Sequence, residues 1–305
     1  MSLHLTVAEA IVARRLWAPG EAVVVAVSGG MDSVGLLELL VASRGVHRGA
    51  LSVRTIDHGQ RSRSADDAAF VAELAARHGL PCEVARLALP PGASEAAMRR
   101  ARYAALEAGA VDVVALAHHR EDQAETALLG WLRGSGTRGM AGMAWRVGRR
   151  VRPLLATPRA DVRAWLVARG VGWREDPSND DPRFLRNRVR RELLPLAEAL
   201  RRGAVEGLAR GAGLAAEDDA LLETLSAAAE QRDGPWLRAA WVADGPSPLV
   251  RRALLRDWPE ATAAQLDALV VAARRGGGAV TLSRGVMVLV DGHGVRTVEA
   301  PGLPS

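Results

Sequence analysis

The chain has 305 residues and a hydrophobic fraction of 49%, enough for one sizeable α/β core and a smaller second one. All 40 of its basic residues are arginine, which excludes any chemistry needing a lysine of the protein's own, such as a Schiff base or a Walker-type phosphate lysine. A single cysteine, Cys82, excludes an internal disulfide framework and a four-cysteine zinc site. No apolar run approaches the roughly 20 residues of a membrane span, so the composition predicts a cytoplasmic protein with no membrane partner.

The opening stretch MSLHLTVAEAIVARRLW lacks the basic start and cleavage site of a secretion signal and reads as an amphipathic helix. Four short apolar strands follow at 21–28, 49–57, 81–89 and 111–117, each trailed by a helical pattern, at 32–44, 65–79, 94–109 and 120–132. This alternation predicts an α/β fold with a doubly wound parallel sheet whose ligands bind at the carboxyl edge. Three of the strand ends carry polar clusters there: SGGMDS, DHGQR and HHREDQAET.

Beyond Arg133 the pattern changes to a glycine-rich RGSGTRGMAGM, then RPLL, a helix opened by Thr157-Pro158, and the basic stretch DPSNDDPRFLRNRVRRELLPL. Between Arg133 and Arg191 there are 15 arginines against five acidic residues, a local balance of +10 in a chain whose formal total is +5. A solvated basic face is the plain reading of a charge run, but this density favours a polyanion, meaning nucleic-acid phosphates. From about Arg202 onward alanine- and leucine-rich helices lead to two or three short strands within 278–298. The predicted division is a domain over 1–205, with its basic segment at 133–200, and a second, smaller, mostly helical C-terminal domain over 206–305 that ends in short strands.

Each cluster suggests a chemistry. In SGGMDS, Gly29 and Gly30 let backbone amides approach a phosphate, while Ser28 and Ser33 add hydroxyl donors at a helix N-terminus. With no lysine nearby, the turn suits a pyrophosphate whose charge a magnesium ion shares, and Asp32 is the candidate ligand of that ion. In the second cluster Asp57, His58 and Arg61 follow a strand end, where Asp-His also serves as an ordinary turn former. In the third, His118, Asp122 and Glu125 fall at i, i+4 and i+7 on one expected helical stripe, with His119 beside it. Paired carboxylates there could cage a cation, either a metal or a substrate ammonium, or the stripe is simply a solvated face.

The SGGMDS turn resembles the SGGxDS signature of the PP-loop ATP pyrophosphatases, which adenylate a substrate oxygen and release pyrophosphate. The ordered set SGGMDS, DHGQR, EAAMRRARY, AHHREDQAETALL, RGSGTRGMAGM, RPLL and DPSNDDPRFLRNRVRRELLP, over about residues 21–197, is similar to one branch of them, the tRNA(Ile)-lysidine synthetases. Met98 stands where that branch usually has alanine, and Glu121 where aspartate is common. The resemblance implies a PP-loop, Rossmann-like catalytic domain and ATP-dependent joining of free L-lysine to the wobble cytidine of tRNA(Ile) with a CAU anticodon. It further implies that ATP and Mg²⁺ occupy the turn Ser28, Gly29, Gly30, Met31, Asp32 and Ser33, with Asp57, His58 and Arg61 bordering the nucleotide. Asp122 and Glu125 would hold the lysine ammonium near His118 and His119, and Arg99 and Arg102 would meet a phosphate or the substrate carboxylate. Arg183, Arg186, Asn187, Arg188 and Arg190 would grip the tRNA backbone, and the C-terminal domain would contact the same RNA. The residues expected to carry catalysis are Asp32, His58, Asp122 and Glu125.

Two rivals are weighed against this reading. A PP-loop tRNA thiolase commonly uses paired cysteines or an iron–sulfur cluster, which Cys82 alone cannot supply. A non-catalytic nucleotide-dependent RNA-binding module has no use for the Asp122/Glu125 pair. Of the eight tryptophans, Trp131, Trp165 and Trp258 are expected in the core, while Trp145 and Trp173, inside the basic segment, are candidates for stacking on bases. The sequence leaves the oligomeric state open.

Overall fold

The computed structural model describes residues 2–57, 64–87, 94–175, 185–282 and 286–298, with the side chains of Ser64, Ala65 and Glu95 also outside the description. The chain divides into two compact units, Met1–Ala216 and Glu217–Ser305.

In the first unit the order is α1 (Leu3–Ala13), β1 (Ala22–Ala26), α2 (Met31–His47), β2 (Ala50–Asp57), α3 (Ser64–Arg77), β3 (Cys82–Arg86), α4 (Glu95–Leu106), β4 (Val113–Ala115) and α5 (Arg120–Leu132). It continues with α6 (Gly136–Met140), β5 (Arg146–Val147), β6 (Arg150–Val151), α7 (Arg159–Val167), α8 (Leu185–Arg188), a π-helical turn (Val189–Leu193), α9 (Leu194–Leu200) and α10 (Ala204–Ala229), whose C-terminal part runs beyond the division at 216/217. The expected break at 205/206 thus lies at the start of α10.

The sheet runs β3-β2-β1-β4-β6-β5, parallel except for the β5–β6 pairing. The central strands are apolar on both faces because both are covered. Val23 and Val25 point into a core with Leu36, Leu37, Leu40 and Ile11, whereas Val24 points the other way, against Tyr103, Leu106 and Val114. Gly35 lets α2 lie close against α7, since a Cβ there would meet the Val162 side chain at 2.2 Å. From β1 the chain moves outward to β2 and β3, then returns to lay β4 on β1's other side. The reversal opens a crevice between the carboxyl ends of β1 and β4, where doubly wound sheets bind ligands. SGGMDS leaves β1 and AHHRED leaves β4, so both clusters arrive at that one crevice.

The two-residue strands β5 and β6 form a hairpin that the sequence reading did not foresee. The run RVGRRV has too few apolar positions to show strand periodicity, and β6 earns its place only by pairing with β4.

The second unit builds a five-stranded antiparallel sheet, β7-β8-β11-β10-β9, from β7 (Arg232–Asp233), β8 (Trp236–Leu237), β9 (Gly278–Thr281), β10 (Met287–Asp291) and β11 (Gly294–Val298). Helices α11 (Ala239–Asp244), α12 (Ser247–Asp257) and α13 (Ala263–Arg274) share a core with it that includes Leu237, Trp241, Leu254, Leu269, Val288 and Val290. Among the described residues no helix is long and apolar enough to cross a membrane.

Candidate active site

The turn after β1 is shaped for close approach. Gly29 adopts φ +85°, a left-handed conformation that favours glycine, and its carbonyl accepts the Arg174 amide at 2.8 Å. The Ser33 hydroxyl donates to the Gly30 carbonyl at 2.9 Å, accepts the Ser28 amide at 3.1 Å, and lies 3.1 Å from the Ser28 hydroxyl. Both serines are therefore held at the N-terminus of the 17-residue α2, the positive end of a long helix. Met31 is 7% exposed and belongs to the core, so its contribution to the turn is its backbone. Asp32, in the first turn of α2, accepts from Arg159 Nε at 2.8 Å.

From β4, the backbone delivers His118 and His119 ahead of α5, which begins at Arg120. His118 is thus not on the helical stripe expected from its spacing, and His119 is the N-cap residue, its amide donating to Asp122 Oδ2 at 3.0 Å. The His119 ring is 2% exposed and ringed by carboxylates: Nδ1 is 3.0 Å from Glu121 Oε2, and Nε2 is 3.3 Å from Asp122 Oδ2 and 3.8 Å from Asp32 Oδ1. Burial opposes its charge, but the Glu121 contact and the charges of Asp122 and Asp32 together raise its pKa above the ordinary value. Glu121 also accepts the Arg159 amide at 3.0 Å. Glu121, His119 and Arg159 therefore tie the α5 end to the turn after β1, a linkage that sequence spacing did not reveal.

Asp122 and Glu125 are 7% and 0% exposed, so the solvated-face alternative is excluded. Burial raises the Asp122 carboxyl's pKa, but His119, Arg190 and Arg186 outweigh it and hold it below the usual carboxylate range. Arg186 reaches Asp122 at 3.2 Å and Glu125 at 2.9 Å; Arg190 reaches Asp122 at 2.7 Å and a Glu125 oxygen at 3.2 Å. Two arginines expected to face RNA thus face these carboxylates instead. The physical reason is burial: carboxylates withdrawn from water need cations and hydrogen bonds. Arginines four apart stack on one face, opposite acids three apart on α5. Val189 and Leu194 packing with Ala124, Leu128 and Leu129 fixes that register.

The other predicted residues are more scattered. Arg188 pairs with Glu192 of the π-helical turn that follows it, at 3.1 Å through both Nε and Nη2, and Asn187 lies beside it in α8. Asp57, at the end of β2, is 3.5 Å from Arg86 Nε. Arg99 and Arg102 sit over the Tyr103 ring at 5.1 and 5.3 Å from its centroid. His58, Arg61 and Arg183 lie outside the described residues. Trp165 is buried and Trp258 packs partly against the second core, as expected. Trp131 is not in the core: it is 66% exposed at the end of α5, beside Leu132 at 61%. The buried face of α5 is lined instead by Asp122, Gln123, Ala124, Glu125, Ala127 and Gly130, so its largest apolar residue points outward. Trp145 and Trp173, the expected stacking candidates, are partly buried against the first core.

Residues 5–197 match the family model of the PP-loop domain. The tRNA(Ile)-lysidine synthase of Leifsonia xyli subsp. xyli is 37% identical over 301 residues, an alignment covering 94% of this chain and 87% of that protein. The chain belongs to the tRNA(Ile)-lysidine synthase family. The family member from Deinococcus radiodurans is 44% identical over 230 residues, covering 70% of this chain but 38% of its own length, so this chain spans well under half of that relative. Among solved structures, the U34-tRNA thiolase NcsA from Methanococcus maripaludis with its [4Fe-4S] cluster superposes with a TM-score of 0.56 at 17% identity, covering 70% of this chain and 80% of that one. That likeness speaks to the fold alone.

In this member of the lysidine synthase family, His118 has the opposite electrostatics to His119. Burial pushes its pKa down to about 4; Asp122 opposes the shift, and Arg152, Arg186 and Arg99 add to it. Folding therefore favours the neutral ring. That contribution to stability is complete above the ordinary 6.5 and is lost as the pH falls towards about 4. Its full size is about 3 kcal/mol by linkage. Asp122 acts in a separate window, below its ordinary 3.8. Melting curves from pH 7 to pH 4 are expected to show the wild type losing stability more steeply than His118→Gln. Parallel curves would show that the ring titrates normally.

Proposed function

We propose that this protein uses ATP to join free L-lysine to C2 of the wobble cytidine in the CAU anticodon of tRNA(Ile), through an adenylated tRNA, and that it works in the cytoplasm. The observation that carries this reading is the meeting of a phosphate-binding turn with a buried carboxylate pair in one crevice, in a chain of this family.

The cytidine O2 attacks the α-phosphorus of ATP, and the bond to the β-phosphate oxygen breaks to release pyrophosphate. The ε-amine of lysine then attacks C2, AMP leaves with O2, and the nitrogen loses its proton. The turn Ser28–Ser33 holds the β- and γ-phosphates, so catalysis of the first step is mainly positioning and charge neutralisation. Asp57, His58 and Arg61 border the nucleotide. The cytidine must leave the anticodon stack to reach the crevice.

Magnesium travelling on nucleotide phosphates needs only one or two protein carboxylates. Among the described residues no larger cluster of metal ligands exists, and Asp32, 31% exposed at the phosphate end of α2, fits the part of that single contact. The ion would neutralise charge on the transferring phosphates.

Asp122 and Glu125 receive the lysine ammonium. Arg186 and Arg190 now supply cations at that site, so lysine binding is an exchange of one cation for another. The tRNA phosphates give the released guanidinium its new partner, which reconciles the two roles expected of these arginines. The exposed Trp131 stands at the head of a stretch, 126–160, that holds seven arginines and no acidic residue. It offers the tRNA a stacking surface, and Trp131→Ala is expected to weaken tRNA binding about five- to a hundredfold, measured by filter retention; unchanged retention would remove Trp131 from the RNA surface.

The whole reading is tested by following pyrophosphate and AMP from ATP with tRNA, with and without lysine. Pyrophosphate release should need tRNA but not lysine, and AMP release should need both. A thiolase would show no lysine dependence, and a binding module would release nothing.

A further inference from the structure

One buried cation at the crevice has no opposite charge among the described residues. Arg152 follows β6, and the Leu116 amide donates to the Val151 carbonyl at 2.9 Å, so Arg152 lies beside the strand end that delivers His118 and His119. It is 7% exposed. Among the described residues its guanidinium makes one hydrogen bond, from Nη1 to the Ala144 carbonyl at 2.6 Å, and its buried Nε has no acceptor. Among the described residues no carboxylate pairs with it.

Its surroundings add to the deficit. Arg150, Arg99 and Arg102 crowd the buried Tyr103 ring at 4.5, 5.1 and 5.3 Å. Arg150 is neutralised by Glu107 at 2.8 Å, while for Arg99 and Arg102 the ring is the partner seen among the described residues. Burial depresses the Arg152 pKa most; Tyr103 opposes that shift, and Arg150 and Arg99 add to it. Arginine nevertheless remains charged in proteins, so it does not escape the deficit by losing its proton. A single hydrogen bond to a carbonyl could be made by a neutral amide, whereas a buried, unpaired guanidinium is costly. The arrangement makes sense if an anion completes it.

We propose that Arg152, seconded by Arg99, binds the α-carboxylate of the amino acid whose ammonium is held by Asp122 and Glu125; this rests on the function proposed above. The guanidinium, whose Nε has no acceptor among the described residues, is a planar fork that matches two carboxylate oxygens. The phosphates of the nucleotide have their own site at the α2 N-terminus, which follows β1, with β4 between it and β6. His118, kept neutral, lies within the fields of both Arg152 and Asp122, so the cationic and anionic halves of the site flank one uncharged ring. Arg152 is then a specificity-determining residue that selects an amino acid over a simple diamine.

The test compares lysine with 1,5-diaminopentane, which has the same terminal amine and no carboxylate, as acceptors of the adenylated tRNA. Wild type should prefer lysine about ten- to a hundredfold in kcat/KM. In Arg152→Gln the KM for lysine should rise by about that factor while kcat/KM for the diamine stays put, so the preference collapses towards one. Arg152→Lys keeps the charge without the fork and should retain part of the preference; it also serves if the glutamine variant fails to melt cooperatively. A wild type that uses both acceptors equally, or variants that keep the full preference, would overturn the assignment. A wild type that transfers neither acceptor would overturn the proposed function, and this assignment with it.

Discussion

Asp32→Asn is expected to slow tRNA-dependent pyrophosphate release about a hundred- to a thousandfold, the usual scale for losing one preorganised charge at a phosphoryl-transfer centre. Asp32 is the carboxylate in the first turn of α2, and it is bonded to Arg159 at 2.8 Å with His119 at 3.8 Å. The amide keeps its shape but leaves Arg159 and His119 short of one negative partner, and it removes the candidate magnesium contact. Affinity for tRNA should change little, because on this proposal the binding draws on arginines spread over the basic segment. Pyrophosphate release and filter retention on the same preparation separate the two effects. Equal loss of both in a folded variant would count against the division of labour.

Glu125→Gln and Asp122→Asn should act on the second half-reaction. A charge-assisted contact of this kind is worth about 1.5–3 kcal/mol, so the lysine concentration needed for half-maximal AMP release should rise about ten- to a hundredfold. ATP use in the first step should hardly move, and the adenylated tRNA should last longer because its nucleophile is poorly held. These variants also carry a stability cost. Glu125 is fully buried, but Arg186 and Arg190 are 39% and 36% exposed, so water compensates part of the loss. About 1–3 kcal/mol is expected, rather than the larger penalty of a sealed ion pair. If the two carboxylates instead held the metal of the first step, adenylation itself would fail and added lysine would not restore it.

Much of this site is legible in the amino-acid sequence. Strands with Val23 to Val25 buried on both faces announce a covered parallel sheet, and polar clusters at their carboxyl ends mark the crevice. Hidden were partnerships between residues far apart in the chain. Arg186 and Arg190 meet Asp122 and Glu125 across more than 60 positions, and nothing in their spacing separates an arginine that faces RNA from one that faces a buried acid. The role of His119 as a helix cap, rather than a neighbour of a stripe, depends on where α5 begins. Arg152 looked like one basic residue in a basic segment; its significance lies in being buried, which follows from the short β6 pairing with β4. Trp131 misled in the opposite direction, because hydrophobicity alone does not show that α5 buries its small and charged residues.

The most direct test of the central claim is to incubate the protein with ATP, tRNA(Ile) carrying a CAU anticodon and isotopically labelled lysine, digest the tRNA, and weigh its nucleosides. The predicted result is a cytidine derivative heavier by one labelled lysine less one water, at the wobble position and only when ATP is present. Recovery of unmodified wobble cytidine from every tRNA, while ATP is consumed, would contradict it.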